Sequence, residues 1–586
     1  MNINKILAIT LLASLTVACG SSNGDKSEPP TTQNELPEEQ QETTVEQIQL
    51  NQVGFLPNEN KVAVVPNVSS SSFALVSKDT GTVVFEGTLS TAASWQVAGD
   101  TQFKIADFSP FKTEGQYFIR VAGVDESHNF DIGSTVFDPL HDAALKSYYF
   151  NRSGTAIEAP YSQQWTRAAG HSDEQVKVHA SAASTERPEL TVISSPKGWY
   201  DAGDYGKYVV NSGITTYTLL AAYEHFPDFY DNRAINIPET DDLIPDILNE
   251  TLWNIDWLAT MQDPDGGVYH KLTTLNWPGQ EMPDEDKRDR YVIGKSTAAT
   301  LNFAAVLAMS NRVYQPFDTA MSGKREQWLA AAESAWSWAV AHPMEIYQQP
   351  ADVSSGEYGD SFFNDEFAWA AAELFITTKN IDYFNHYLKY RSDVAVPSWS
   401  YVAYLATSTL LFQGEDIIDP VKYAEIKADQ LTLADKLVGQ YQDSSYKVPM
   451  IASDFVWGSN SVALNKALIL MQAHKLTDDQ TYREVAINIL DYVLGRNPTD
   501  YSFVTGFGSK SPMFPHHRIS DSDGIAEPIP GMVAGGPHSG RQDGCNYLYT
   551  EPARTYIDDW CSFATNEIAI NWNAPLVYVL AALLAE

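Results

Sequence analysis

Gly198-Trp199-Tyr200-Asp201-Ala202-Gly203-Asp204-Tyr205-Gly206-Lys207-Tyr208-Val209-Val210 sets two carboxylates three residues apart on a glycine-containing segment between aromatic side chains. A helical pattern begins immediately after it. The combination reads as a reactive loop on a helical scaffold. A structural reading stands beside it, in which Asp201 and Asp204 cap the following helix by accepting its free backbone N–H groups. Asp-x-x-Asp does not separate the two by itself.

Outward from that loop, the spacing of apolar residues predicts twelve helices. They are Pro139 to Phe150, Lys207 to His225, Asp241 to Met261, Ser296 to Tyr314, Arg325 to Ala341, Asn364 to Thr378, Ile381 to Leu388, Ser398 to Phe412, Pro420 to Tyr441, Ser459 to His474, Asp479 to Leu494 and Asn566 to Leu584. Small residues on their faces, as in Ala368-Trp369-Ala370-Ala371-Ala372, allow close helix approach. Twelve helices suggest a two-layered barrel, six inside six. A helical solenoid would give a similar count, but the sequence carries no fixed repeat to support one. Before the helices, residues 48–134 read as short strands divided by turn residues: Val62-Ala63-Val64-Val65, Ser72 to Val76, Val83 to Glu86 and Gln116 to Val121. These suit a small β-sandwich. From Ser502 to Asp559 there is little helical pattern and much Gly, Pro, His and Asp; a stretch of that length in a compact domain is usually functional, and it is expected across the mouth of the barrel.

The 586 residues exceed one ordinary domain, and 44% hydrophobic with 19% charged residues is a globular composition. A net charge of −37 excludes nucleic acid as a partner, since phosphate binding needs Lys and Arg in excess. Asn2 to Lys5 form a short basic start, Ile6 to Val17 an apolar run too short to span a bilayer, and Ala18-Cys19 a small-residue cleavage point. Leu15-Thr16-Val17-Ala18-Cys19 resembles a bacterial lipoprotein signal with Cys19 lipidated; Gly20 after it favours the outer membrane over the inner. The expected location is the cell envelope, lipid-anchored, or else secreted or periplasmic. Residues 20–47, rich in Ser, Thr, Pro, Glu and Gln, read as a disordered acidic tether. Cys545 and Cys561 remain, either as one disulfide or as two free buried thiols.

Ser502-Phe503-Val504-Thr505-Gly506-Phe507-Gly508-Ser509-Lys510 leads into Pro515-His516-His517-Arg518, and Tyr556-Ile557-Asp558-Asp559-Trp560 leads into Thr565-Asn566-Glu567-Ile568-Ala569-Ile570-Asn571-Trp572-Asn573. With the opening loop, these segments resemble the signatures of glycoside hydrolase family 9, the inverting cellulase-type family. Asp365-Glu366-Phe367-Ala368-Trp369 and Trp457-Gly458-Ser459-Asn460 support the resemblance, which runs from about Phe137 to the C-terminus. It implies an all-α (α/α)6 barrel behind an immunoglobulin-like sandwich, since members with Tyr after the second aspartate, here Tyr205, often carry such a domain.

Inverting hydrolysis needs a carboxylic acid to protonate the leaving oxygen and a carboxylate to activate water from the opposite face. The resemblance implies Glu567 as the acid and Asp204 as the base, with Asp201 holding the same water. The apolar residues after Glu567 favour its protonated form; its structural role would be a carboxylate in the first turn of the last helix. His516 and Arg518 match a sugar-binding pair, Asp558 a supporting aspartate and Trp457 a sugar platform, and Tyr205 is expected with them at the substrate site. His516-His517 near Asp521 and Asp523 keeps a metal site open. For Trp253, Trp257 and Trp277, core packing is expected. Ser361, Asp365 and Glu366, with the carbonyl of Phe362, resemble part of a calcium site, although Ser400 replaces a further expected aspartate. Ala169-Gly170-His171 lacks the cysteine of a zinc site in some relatives, so no zinc is expected.

The reading is a monomeric, cofactor-free hydrolase of β-1,4-glucosidic bonds in cellulose fragments, cellodextrins or related β-glucans. Its partners are an oligo- or polysaccharide and, through the anchor, a membrane. Two alternatives stay open: release of glucosamine from chitosan oligosaccharides, whose cationic sugars suit an acidic cleft, and a non-catalytic glycan-binding lipoprotein. The β-domain lacks an obvious aromatic row and is expected to serve as a support.

Overall fold

The structure is a computed structural model and describes residues 47–585. Cys19, its signal sequence and all but the last residue of the acidic tether lie outside the described residues.

Eight strands come first: β1 (Gly54–Phe55), β2 (Val62–Pro66), β3 (Ser72–Ser77), β4 (Val83–Thr88), β5 (Ala93–Ser94), β6 (Gln102–Asp107), β7 (Gly115–Arg120) and β8 (Phe130–Ile132). They form two sheets, in the orders β1-β8-β7-β3-β4 and β2-β6-β5. Alternation along β2 explains how one strand serves two cores. Ala63 and Val65 face Phe55, Leu75 and Ile119 inside the sandwich, whereas Val64 joins Trp95, Val97 and Phe103 in the core of the helical region. Trp95 stacks on Tyr446 with ring centroids 4.8 Å apart. Asn51 Nδ2 donates to Asp491 Oδ1 at 2.8 Å. The sandwich is thus seated on the helices through shared core.

Twelve helices of ten residues or more follow among the described residues: α1 (Asp138–Phe150), α2 (Val209–His225), α3 (Asp246–Leu258), α4 (Thr297–Val313), α5 (Lys324–Ala341), α6 (Asn364–Thr378), α7 (Ile381–Tyr390), α8 (Ala403–Gln413), α9 (Pro420–Asp443), α10 (Ser459–Thr477), α11 (Gln480–Val493) and α12 (Ile570–Leu584). All twelve expected helices are present. Three begin four or five residues later than their apolar pattern: α3 at Asp246 behind Pro245, α8 at Ala403 and α12 at Ile570.

Burial sorts them into two kinds. Every residue of α2 except Glu224 is buried, and every residue of α12 except Leu584. In contrast α9 buries Ile426, Gln430, Leu433, Ala434 and Leu437, a single stripe at helical spacing. Among the even-numbered helices α2 packs on α4, α4 on α6, α6 on α8, α10 on α12 and α12 on α2. Gln472 of α10 joins α8, its Oε1 accepting from Tyr404 and Ser408 hydroxyls at 2.8 Å each. Each odd-numbered helix lies against an even-numbered neighbour.

The helical region is not all-α. It also holds a five-stranded sheet of β9 (Val176–Val178), β10 (Val192–Ile193), β11 (Lys207–Tyr208), β12 (Tyr269–Thr274) and β13 (Arg290–Lys295), in the order β10-β9-β13-β12-β11. Its strands escape a sequence reading because most are short, and β12 is buried on both faces and so shows no alternation. Cys545 and Cys561 form a disulfide, which settles the choice left open by the sequence. No helix among the described residues is long and apolar enough to cross a membrane.

Candidate active site

Residues 199–206 form an irregular loop leading into β11 and α2, and its backbone is tied on two sides. Ile570, the first residue of α12, donates its N–H to Asp201 O at 2.9 Å. Arg518 donates its backbone N–H to Gly203 O at 3.1 Å and Nη1 to the same oxygen at 2.8 Å. Gly203 has no room for a side chain: a Cβ there would sit 2.2 Å from His516 O. The N-cap position of α2 is Tyr208 and no side chain caps it, so the capping reading of the two aspartates fails.

Asp201 is buried and accepts two hydrogen bonds, from Asn211 Nδ2 at 2.7 Å and from the Tyr358 hydroxyl at 2.6 Å. Burial pushes its pKa up to about 7, the two donors pull it down, and the neighbouring Asp204 adds to the rise. Asp204 is also buried; its Oδ2 accepts from Gly206 N at 2.9 Å and, at a longer 3.4 Å, from the Tyr208 hydroxyl. Glu567 does not lie in the first turn of the last helix. It sits three residues ahead of α12, where its backbone pairs with His516 and its carbonyl accepts from Gly535 N at 2.9 Å. Its half-buried carboxyl is pushed up to about 8, first by desolvation and then by the charges of Asp204 and Asp201; the Gly203 N–H and Arg518 act the other way. The three carboxyl groups therefore share one field, in which Glu567 is pushed up further than Asp201.

The 502–559 segment closes around this loop. Asp558 accepts from Met513 N at 2.7 Å, Phe514 N at 2.9 Å and Asn566 Nδ2 at 2.9 Å, tying the turn before His516 to the residue before Glu567. His516 Nδ1 donates to Trp560 O at 2.7 Å, and its ring stacks on Trp560 with centroids 4.3 Å apart. Phe563 lies 6.0 Å from His516 and 5.4 Å from Trp457, which is 41% exposed. The rings run in a row Trp457, Phe563, His516, Trp560.

Several expected residues stand elsewhere. Arg518 is buried, and its guanidinium donates to the carbonyls of Gly203, Pro278 and Gly279; it braces the aspartate loop rather than facing outward. Tyr205 is buried, and its hydroxyl donates to Glu281 O. Trp277 is 45% exposed instead of in the core, because its loop follows β12 along the surface. His517 is buried with Nδ1 on the Ser520 hydroxyl at 3.0 Å, away from any pairing with His516 as a metal ligand.

Of the residues expected at calcium, Ser361 is exposed while Asp365 and Glu366 are buried. Asp360, unforeseen, takes its place beside them: it and Asp365 both raise the pKa of Glu366. Buried oxygens of Asp360, Asp365 and Glu366 have no hydrogen-bond partner, the chemistry a hard cation satisfies. Among the described residues no three His, Cys, Asp or Glu side chains meet the spacing of a formed metal centre. Sequence reasoning missed Tyr358, Asn211 and Tyr208 as partners of the aspartates. Tyr358 comes from the pattern-free stretch between α5 and α6, whose length alone is a signal of function.

The loop, its buried aspartates and the proton-retaining glutamate define the chain as a glycoside hydrolase. The chain belongs to glycosyl hydrolase family 9, whose profile matches residues 137–580, preceded by a match to the cellulase N-terminal ig-like domain over residues 43–126. It is 42% identical over 553 residues to the xyloglucan-specific endo-beta-1,4-glucanase BoGH9A of Bacteroides ovatus, covering 92% of this chain and 93% of that one. Endoglucanase D of Acetivibrio thermocellus is 35% identical over 544 residues, 91% of this chain and 83% of the relative. A solved structure of a Bacteroides ovatus family 9 protein superposes with a TM-score of 0.87 at 40% identity, covering 92% and 98% of the two chains.

Proposed function

We propose that this chain hydrolyses β-1,4-glucosidic bonds within glucan chains by single displacement. The observation that carries the reading is the meeting of three carboxyl groups from distant parts of the chain: Asp201 and Asp204, held by hydrogen bonds from Asn211, Tyr358 and Gly206, raise the pKa of Glu567, which burial and their charges push up to about 8. Glu567 gives its proton to the glycosidic oxygen as the bond from that oxygen to the anomeric carbon breaks. Asp204 takes a proton from a water whose oxygen forms the new bond from the opposite face, and Asp201 holds that water. The product sugar leaves with its anomeric configuration inverted. His516 and the rings of Trp457, Phe563 and Trp560 provide the apolar and hydrogen-bonding surface for pyranose rings.

The names of the two relatives, both endoglucanases, favour neutral β-glucans over amino sugars and internal cleavage over release from chain ends. Product analysis on cellotetraose, xyloglucan oligosaccharides and a chitosan tetramer tests this. Inverted glucan products from cleavage at internal bonds are expected; glucosamine from the chitosan tetramer with cellotetraose untouched would replace the substrate, and no turnover of any would favour a glycan-binding protein.

Fully buried even-numbered helices, single-striped odd-numbered ones and the Gln472 link between α8 and α10 favour a closed (α/α)6 barrel. Asp360, Asp365 and Glu366 would hold a structural calcium, which takes no part in the proton transfers. Cys19 would carry the lipid that holds the enzyme at the cell envelope.

A further inference from the structure

Lys271 is fully buried on β12, directly across from Tyr208 of β11. Its ammonium forms no ion pair within 4.0 Å among the described residues; its hydrogen bonds go to neutral acceptors, Gly356 O at 2.6 Å, Gln349 Oε1 at 2.9 Å and Ser355 O at 3.4 Å. A buried cation without a bonded carboxylate is costly unless a nearby opposite charge offsets it. Asp204 is the first such charge and Glu357 the second, yet burial still lowers the Lys271 pKa to about 7.

The segment that Lys271 grips is the one that reaches both aspartates. Gly356 N donates to the Tyr208 hydroxyl at 3.1 Å, and that hydroxyl donates to Asp204. Two residues on, Tyr358 donates to Asp201. His270, the neighbour of Lys271, donates Nε2–H to Glu357 O at 3.0 Å while Nδ1 accepts from the Ser296 hydroxyl at 2.8 Å. Gln349 completes the clasp, with Nε2 on Ser355 O at 2.7 Å.

We propose that Lys271 is a positioning residue for hydrolysis: its ammonium fastens the backbone at Ser355 and Gly356 so that Tyr208 and Tyr358 meet the two aspartates, and it sets a positive charge near Asp204. The inference rests on Asp204 being the base. The charged and titratable groups facing Asp204 are Asp201, Glu567, Tyr208, His516 and Lys271; those facing Lys271 are Asp204, Glu357, His270, Tyr208 and Tyr347. Arg518, the other cation near this loop, is held on Gly203 O and stays in place when Lys271 is replaced, so the substitution takes away one positive charge near Asp204.

The test is kcat and KM of the full chain on cellotetraose across pH for Lys271→Met, Lys271→Gln and Lys271→Arg, with Asp204→Asn in parallel. Lys271→Met lowers kcat about 100-fold with KM changed less than about threefold, as for a displaced catalytic group. The acid limb of kcat/KM moves up by about one pH unit, because losing a nearby cation disfavours the carboxylate. Lys271→Arg returns the limb toward wild type. Lys271→Gln keeps a donor for Gly356 O without the charge, so its limb shifts while kcat falls less, and it serves equally if the Met variant does not fold. An unmoved acid limb in the Met and Gln variants, with Asp204→Asn inactive, overturns the inference alone. An active Asp204→Asn overturns the base assignment and the inference with it.

Discussion

Replacing Glu567 with Gln is expected to stabilise the fold while abolishing turnover, and the two effects have one cause. In the unfolded chain the carboxyl titrates near 4.5, whereas burial beside Asp204 and Asp201 pushes it up to about 8. At pH 4 both states hold the proton and the residue is nearly neutral in its effect. As pH rises above 4.5 the unfolded chain loses the proton and the folded one keeps it, so stability falls until the folded group also titrates. At pH 7 the gap of roughly 2.5 units is worth about 3 kcal/mol as a ceiling, and about 1–2 kcal/mol once solvent at the half-buried carboxyl screens the charges. Gln carries no charge at any pH and escapes the penalty. Thermal melts from pH 4 to 8 should therefore show a Tm difference near zero at pH 4 that grows in favour of the Glu567→Gln variant toward pH 8. Turnover at pH 6 should fall by at least about 100-fold, the usual contribution of a general acid. A Tm difference that does not change with pH, or activity within tenfold of wild type, would refute the assignment.

The remaining expectations concern the supports and the anchor. Trp95→Ala removes the ring that stacks on Tyr446 and should cost about 3–5 kcal/mol, read from the midpoint of urea unfolding; a loss below about 1 kcal/mol means that the sandwich is not part of the helical core. Calcium at about 100 times its Kd should stabilise the chain by about 2–3 kcal/mol and EDTA should reverse this, while Asp365→Asn should abolish the response; identical melts with and without calcium remove the cation reading. Cys19→Ala should leave the protein free of incorporated fatty acid and in the soluble fraction, and continued labelling of that variant would place the lipid elsewhere.

The helices were legible because burial of a whole inner layer and of single outer stripes prints apolar residues at helical spacing. The reactive loop and Glu567 were legible as motifs, since close backbone packing at Gly203 leaves little choice of residue. What stayed hidden depends on partners far apart in the chain. A buried strand such as β12 carries no period, so neither Lys271 nor its pairing with Tyr208 can be read from spacing. Tyr205 and Trp277 are aromatic residues on irregular segments, and nothing local distinguishes a ring turned inward to Glu281 O from one left 45% exposed. Arg518 matched a sugar-binding position by type; only the fold reveals that Gly203, Pro278 and Gly279 occupy its guanidinium.

Glu567 lies where two electrostatic effects oppose each other, and their sizes decide its chemistry. Three residues ahead of α12, it stands near the positive end of a helix, which favours a carboxylate by about 0.3–1 kcal/mol. That is less than one pKa unit. Burial and two like charges raise it from 4.5 to about 8, several times more. The helix end is also partly answered already, since the Ile570 N–H donates to Asp201 O. That bond fixes the aspartate loop to the same helix that follows the glutamate. Because every residue from Ile570 to Leu583 is buried, the helix cannot shift without disturbing the core, so the acid and the aspartates move together or not at all.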